Sequence, residues 1–142
     1  MGFIKKQLMK KIGITGVNGF FGKHLFNTLS QNKNITLIPF QRIFFEDESK
    51  MDDFVENCDV IVHLAGLNRS NDEKVIFNVN ISLTETLISS LNRTKSEPHI
   101  IFASSTQENF NNVYGKSKKI ARLNLKDWSL SNNSMFTGLI IP

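Results

Sequence analysis

The sequence has little cysteine and no long apolar run. Its 142 residues include one cysteine, Cys58, so no disulfide can form within the chain, and a reducing compartment fits best. No apolar stretch has the length of a transmembrane helix, and none follows the basic start of the chain as a signal peptide requires. We therefore expect a cytoplasmic protein without a membrane partner.

Strong charge is also missing. Seventeen basic and 13 acidic residues leave a net charge of +4, and the lysines are scattered without the interleaved aromatics of an RNA-binding sheet. This pattern speaks against a nucleic-acid partner. With 40% apolar and 21% charged residues, the chain is predicted to form one globular domain over residues 1–142, in which residues 1–10 are an N-terminal extension.

Strand and helix patterns alternate along the chain. Short apolar runs predict strands over residues 11–15, 35–40, 59–65, 99–104 and 135–141. Helical patterns cover residues 20–29, 51–56, 72–91 and 113–128, and Ser70 to Glu73 read as a capping box for the third helix. Alternation of this kind implies right-handed crossovers. We predict a doubly wound α/β domain with a parallel, Rossmann-like sheet.

Three glycines follow the first predicted strand and open the first predicted helix. Gly16 permits a tight turn, Gly19 lets backbone approach a phosphate, and Gly22 lets the helix pack closely on the strand. The N–H groups of the first helical turn then face an anion, helped by the helix dipole. This context predicts a dinucleotide pyrophosphate site, with a plain loop as the alternative.

Tyr114 is the only tyrosine in the chain, and Lys118 lies four residues further on. On a helix the two share one face, and a nearby ammonium would lower the pKa of the phenol and suit it for proton exchange. Ser104 and Ser105 end a predicted strand, at the edge where doubly wound sheets bind ligands. The alternatives are a solvent-facing lysine beside a half-buried tyrosine, and serines that only shape the strand exit.

Five short motifs, in this order and spacing, resemble the extended short-chain dehydrogenase/reductases, which include nucleotide-sugar epimerases, dehydratases and reductases. The motifs are Thr15-Gly16-x-x-Gly19-x-x-Gly22, Val62-His63-Leu64-Ala65-Gly66, Asn78-Val79, Ser104-Ser105 and Tyr114-Gly115-Lys116-Ser117-Lys118. Within this family, residues 65–69 and 105–114 are most similar to bacterial capsule-biosynthesis reductases that form UDP-N-acetyl-L-fucosamine. The resemblance implies a nucleotide-sugar substrate, with UDP favoured, in surface-polysaccharide synthesis.

The resemblance also implies roles for single residues. Tyr114 would be the acid/base, and Lys118 would hold the nicotinamide ribose and lower the pKa of the tyrosine. Ser105 would orient the reacting oxygen, and Asn78 would support the lysine. The implied cofactor-binding residues, besides Tyr114 and Lys118, are Gly16, Asn18, Gly19, Phe20, Phe21, Gly22, Leu64, Ala65 and Gly66.

The choice of cofactor depends on the residues after the second predicted strand. NAD enzymes usually place an acidic residue there, whereas this chain has Arg42, 20 residues after Gly22. A guanidinium suits a 2′-phosphate through paired donors, so NADP(H) is favoured over NAD(H). The alternatives are that Arg42 is a plain surface residue and that Glu46 or Asp47 serves NAD.

Most of the other candidate residues are interpreted as structural. The three histidines lack metal-ligand spacing, so no metal site is expected, and His63 and Cys58 are interpreted as core residues. Arg69 is a candidate for contact with a diphosphate or sugar, with a solvated loop as the alternative.

The family continues beyond the last predicted strand with a substrate domain that this sequence lacks. We expect either a fragment or a chain complemented by another, with little turnover alone. Uncovered apolar surface predicts a homodimer or poor solubility. Two other functions stay open, a non-catalytic NAD(P)-binding regulatory module and an inactive fragment.

Overall fold

Five short strands supply the frame of the computed structural model, which describes residues 9–142. They are β1 (Lys10–Thr15), β2 (Ile35–Ile38), β3 (Val60–His63), β4 (His99–Ser105) and β5 (Phe136–Ile141). All are parallel and pair in the order β2-β1-β3-β4-β5, with Ile14 opposite Val62 and Ile61 opposite Ile100. The doubly wound parallel sheet predicted from the sequence is confirmed. Of the predicted N-terminal extension, residues 1–8 lie outside the described residues, and Lys10 already belongs to β1.

Four α-helices connect the strands. They are α1 (Phe20–Ser30), α2 (Glu48–Glu56), α3 (Glu73–Thr94) and α4 (Val113–Ser131), with 3₁₀ turns at Arg42–Glu46 and Thr106–Asn109. The capping box expected at Ser70 is wrong, because Asp72 is the N-cap of α3 and its side chain accepts from the Lys74 N–H. No helix within residues 9–142 is both long and apolar enough to cross a membrane.

The helices divide unequally between the two faces of the sheet. The crossover from β1 to β2 runs toward one edge and the later crossovers run toward the other, so right-handed connections put α1 opposite α2, α3 and α4. The core accordingly lies under the last three helices, with Met51, Leu87, Phe102 and Leu125 among its buried side chains. The face bearing α1 keeps an apolar groove of about 300 Å³ beside Phe21 and Leu139.

The carboxyl ends of the parallel strands meet at one edge of the sheet. The crossovers from β1 and β3 lead toward opposite edges of the sheet, so the switch point where such folds open a crevice lies between these two strands. The turn after β1, the loop after β3 and the loop after β4 all emerge there. Every motif identified in the sequence is therefore brought to a single edge.

Candidate functional site

The site is a cleft of about 780 Å³ at the carboxyl edge of the sheet. Three loops and the first turns of α1 and α4 form its walls. Of the predicted site residues, it is lined by Gly16, Gly19, Phe20, Phe21, Gly22, Leu64, Gly66, Ser105, Tyr114 and Lys118. The glycine turn and the tyrosine–lysine pair thus share one cavity.

The glycine turn is built by packing that leaves almost no room for side chains. Gly16 has φ 75°, and a Cβ there would lie 2.7 Å from the Ala65 nitrogen. A Cβ on Gly22 would overlap the Gly16 carbonyl oxygen, whereas one on Gly19 would stand 3.3 Å from the same oxygen. Gly16 and Gly22 are therefore required by the fold, whereas a Cβ on Gly19 would meet only the Gly16 carbonyl oxygen.

The start of α1 is left without a side-chain cap. Its N-cap is Gly19, and its first turn contains no acidic residue. Helix N-termini carry unpaired N–H groups and the positive end of the helix dipole, so they attract anions unless a side chain competes. The two helices that start at Asp47 and Asp72 are capped by those carboxylates. The contrast marks the start of α1 as the end suited to a phosphate.

A buried histidine fastens the turn to the neighbouring strand. The Thr15 hydroxyl accepts from the N–H groups of Leu64 and Ala65, at 3.2 Å each, and lies 2.7 Å from Nδ1 of His63. A hydroxyl has two acceptor positions and one proton, so Thr15 donates to Nδ1. Nε2 of His63 then carries the proton and donates to Thr84 at 3.1 Å. Burial lowers the pKa of His63 to about 3, which keeps this neutral tautomer.

Tyr114 and Lys118 occupy the other end of the cleft, in the first two turns of α4. Lys118 is 7% exposed, and its ammonium lies 4.4 Å from the centroid of the Phe102 ring. Burial lowers the pKa of Lys118 to about 8, with the Glu108 carboxylate acting in the opposite direction. Burial raises the pKa of the half-buried Tyr114, so the expected lowering by Lys118 is wrong for this structure.

The helix asparagine beside the lysine is Asn80, so the assignment to Asn78 is wrong. Asn78 is exposed, whereas Asn80 is 3% exposed and binds both the N–H and the carbonyl of Leu67, at 2.6 and 2.9 Å. Its amide also donates to the Ser117 hydroxyl at 3.0 Å. A Cβ on Gly66 would lie 3.1 Å from the Asn80 amide oxygen and 3.9 Å from the Lys118 nitrogen. Asn80 therefore holds the backbone of the loop after β3, and the end of the Lys118 side chain lies close to this loop at Gly66.

The two serines at the end of β4 have different partners. Ser105 Oγ accepts from the Gln107 N–H at 3.1 Å, while Ser104 Oγ donates to the Glu108 carboxylate. Both serines line the same cleft as Tyr114. Glu108 and Arg122 were not identified in the sequence, because a loop residue and a helix residue 14 positions apart leave no periodic signal.

A second cavity of about 240 Å³ continues from the glycine turn toward β2. Its lining is apolar, apart from Asn18 and Arg42, with Phe40, Phe45, Val79 and Leu83 forming the walls and Ala65 at the base. Neither Glu46 nor Asp47 lines it, and the Asp47 carboxylate is engaged by the Lys50 N–H. Arg42 is therefore the charged side chain at this end.

The remaining sequence candidates lie elsewhere. Arg69 is exposed and lines neither cavity. Cys58 is a buried thiol whose pKa burial raises to about 12, which fits the predicted core role. His99 binds Thr137 at 2.8 Å. Across residues 9–142, no group of three histidine, cysteine, aspartate or glutamate side chains is placed to hold a metal ion.

Two curated proteins are similar to this chain over more than two thirds of its length. The UDP-2-acetamido-2,6-beta-L-arabino-hexul-4-ose reductase of Pseudomonas aeruginosa is 30% identical over 82% of this chain and 31% of its own length. The decarboxylating sterol-4-alpha-carboxylate 3-dehydrogenase of Dictyostelium discoideum is 24% identical over 70% of this chain and 36% of its own length. The chain spans about a third of the length of these curated relatives.

Solved structures share the fold. RMD from Pseudomonas aeruginosa, complexed with NADPH, superposes with a TM-score of 0.81 at 21% identity, over 92% of this chain and 53% of that one. The capsular polysaccharide assembling protein CapF from Staphylococcus aureus gives 0.71 at 26% identity, over 90% and 33%.

The family model that describes the NAD dependent epimerase/dehydratase family matches residues 12–137. That span runs from β1 into β5 and includes both ends of the cleft. This chain belongs to the NAD dependent epimerase/dehydratase family.

Proposed function

We propose that residues 1–142 form the dinucleotide-binding domain of an NAD(P)-dependent nucleotide-sugar reductase or epimerase, with Tyr114 as acid/base. The observation that carries the proposal is that one cleft holds both an uncapped helix N-terminus and the Tyr114–Lys118 pair. The first suits a diphosphate and the second suits proton exchange with a substrate oxygen. A nicotinamide dinucleotide, when bound, supplies or accepts a hydride.

The residues present fit such a cofactor. The space in front of Gly19 and the bare N–H groups of α1 would hold the diphosphate, and the apolar second cavity would hold the adenosine. Asn18, Leu64, Ala65 and Gly66 would line its path across the sheet. Lys118 would hold the nicotinamide ribose, with Phe20 and Phe21 at the rim of the cleft.

Each catalytic residue has one task in this proposal. The Tyr114 hydroxyl gives a proton to the substrate oxygen, or takes one from it, and Ser105 donates a hydrogen bond that orients the same oxygen. Burial raises the pKa of Tyr114, so the phenol is protonated at neutral pH. That state suits the reducing direction, in which the oxygen gains a proton. Asn80 acts through the Leu67 backbone beside Lys118.

NADP(H) is the preferred cofactor in this proposal because Arg42 is the charged group at the adenosine end. Isothermal titration with NADPH and NADH tests it. We expect Arg42→Ala to weaken the affinity for NADPH by about ten-fold and to leave the affinity for NADH unchanged, because a charge-assisted contact to one phosphate is lost. Arg69→Ala is the matched control, because Arg69 is exposed and lines neither cavity. Equal affinities for both cofactors, with no effect of Arg42→Ala, would refute the preference.

The substrate proposed is a UDP-linked 4-keto sugar of surface-polysaccharide synthesis, supported by the reductase relative from Pseudomonas aeruginosa. NADPH consumption with UDP-linked and GDP-linked 4-keto sugars tests this choice. Tyr114→Phe should abolish turnover and keep NADPH binding within about three-fold, because only the proton donor is removed. Because residues 1–142 alone are expected to have little turnover, the turnover assays use a full-length form of the protein, in which cofactor binding without turnover would instead favour a regulatory module.

Self-association is a further part of the proposal. The apolar groove on the α1 face supports a homodimer, because contiguous apolar surface of this kind tends to be covered. Sedimentation velocity checks it: a concentration-dependent dimer is expected, and a monomer at all concentrations would contradict it.

A further inference from the structure

A partly buried ion pair lies next to Ser104, one of the two serines of the cleft. The Glu108 side chain is 8% exposed, and its two oxygens bind Nε and Nη2 of Arg122 at 2.8 Å each. The same carboxylate accepts from the Ser104 hydroxyl. Glu108 belongs to the 3₁₀ turn Thr106–Asn109, while Arg122 lies on α4, two helical turns beyond Tyr114. One side chain thus connects the end of β4 with the tyrosine-bearing helix.

The loop that contains Glu108 is held on α4 by further contacts. A Cβ on Gly115 would overlap the Gln107 carbonyl oxygen, so the loop backbone lies directly on the first turn of the helix. Asn112 caps that helix by accepting from the Gly115 N–H at 2.7 Å, and its amide donates to the Gln107 side chain at 2.7 Å. Ser105 and Tyr114 flank this loop and face the same cleft.

We propose that Glu108 is the positioning residue of the cleft: through Ser104 and Arg122 it holds the end of β4, which carries Ser105, against α4, which carries Tyr114 and Lys118. The inference rests on the proposed function and adds to it a residue that touches neither substrate nor cofactor. Glu108 acts through Ser104 on the strand side and through Arg122 on the helix side. Removing its charge also leaves Arg122 as an unpaired cation on the same helix as Lys118.

The charges around Lys118 determine what the loss of Glu108 should do. Phe102 faces the ammonium from β4, and the neutral His63 lies on β3 within its electrostatic reach. Lys119 and Arg122 on α4 are the cations whose charges act on Glu108. Burial raises the pKa of Tyr114, so its phenol contributes no negative charge near neutral pH. Among the residues that the structure describes, Glu108 is the group whose charge raises the pKa of Lys118. Without it, we expect Lys118 to lose its proton at lower pH.

The chain contains a matched control for this experiment. Asp52 also accepts from a serine, Ser90, at 2.6 Å and binds Nε and Nη2 of Arg93 at 3.1 and 2.7 Å. That cluster ties α2 to α3, and Asp52 lines neither cavity. Asp52→Asn therefore removes a carboxylate of the same kind at a distance from the cleft.

The experiment compares Glu108→Gln, Glu108→Asp and Asp52→Asn in the full chain. The Lys118 titration is followed by NMR of ¹³Cε-labelled lysine, assigned with Lys118→Met, and NADPH affinity is measured by calorimetry. We expect Glu108→Gln to shift the midpoint of the Lys118 titration to lower pH and to weaken the affinity for NADPH by about three-fold or more. Glu108→Asp keeps the charge, so its Lys118 midpoint should stay close to that of the wild type. Asp52→Asn should change neither the Lys118 midpoint nor the NADPH affinity.

An unchanged Lys118 midpoint in Glu108→Gln would overturn the positioning role, and so would an equal shift in Asp52→Asn. If Glu108→Gln does not fold, Ser104→Ala replaces it, because this variant removes the hydrogen bond that links Glu108 to β4 and keeps the charge; an unchanged NADPH affinity in Ser104→Ala would overturn the role as well. The lysine titration needs no cofactor. A wild-type chain that binds neither NADPH nor NADH therefore defeats the proposed function while the titration still decides the role of Glu108.

Discussion

The two ends of the cleft differ in which atoms form their surface. At the α1 end, backbone forms the surface: Gly19 caps the helix without a side chain, and Phe20 and Phe21 are 74% and 56% exposed. At the α4 end, buried side chains form it: Ser104, Ser105 and Lys118 are at most 8% exposed. A phosphate needs bare N–H groups, whereas proton exchange needs groups whose pKa values are shifted by burial and by neighbouring charges. The exposed side chains of the first end, Phe20 and Phe21, can therefore be changed at less cost than the buried side chains of the second.

Acid should destabilise the protein through His63, the buried histidine that binds Thr15 beside the glycine turn. Below about pH 6.5 the unfolded chain protonates its histidines, while His63 in the folded state, with a pKa of about 3, does not. The free energy of unfolding should therefore fall as the pH drops from 6.5 toward 3, by up to roughly 5 kcal/mol from this residue. Urea unfolding at a series of pH values measures it.

His63→Gln tests the assignment, since glutamine does not titrate. The acid branch of its stability curve should be flatter than that of the wild type. Identical acid branches would show that the carboxylates, such as Asp52 and Glu108, account for the whole effect.

Two glycines of the same turn should differ in what their substitution damages. Gly22→Ala places a Cβ against the Gly16 carbonyl, so we expect a loss of about 3 kcal/mol in the free energy of unfolding. Gly19→Ala has 3.3 Å to the same oxygen and should cost less than about 1 kcal/mol, yet weaken NADPH by about ten-fold. Thermal unfolding and calorimetric titration separate the two. Similar stability losses in both variants would contradict the division between a folding glycine and a binding glycine.

Alkaline pH should stabilise the α4 end. The pKa of Lys118 is lowered from 10.5 to about 8, so between these values the unfolded chain binds more protons than the folded one. The free energy of unfolding should therefore rise with pH in that window, by about 2 kcal/mol across the measurable part. Lys118→Met should remove this rise and increase stability near pH 7. A rise of equal size in the variant would contradict the burial of the ammonium.

The sequence was sufficient for the fold and for the edge where the site lies, because glycine spacing and apolar runs are local signals. The supporting asparagine was assigned to Asn78 and not to Asn80 because the assignment did not take account of which face of α3 is buried. Ile76, Asn80, Thr84, Leu87 and Leu91 form the buried stripe of α3 at helical spacing, so the stripe itself pointed to Asn80. The Glu108–Arg122 pair and the raised pKa of Tyr114 depend on loop packing and burial, which no spacing in the sequence encodes.

Tyr114 allows the most direct test of the central claim, that one cleft brings a nicotinamide to the tyrosine–lysine pair. It is the only tyrosine in the chain, so ¹³C-tyrosine labelling gives an unambiguous set of ring signals. On saturation with NADPH, these signals should shift and show nuclear Overhauser contacts to the nicotinamide protons. Ring signals that stay unchanged while NADPH binds would place the nicotinamide away from Tyr114 and contradict the account.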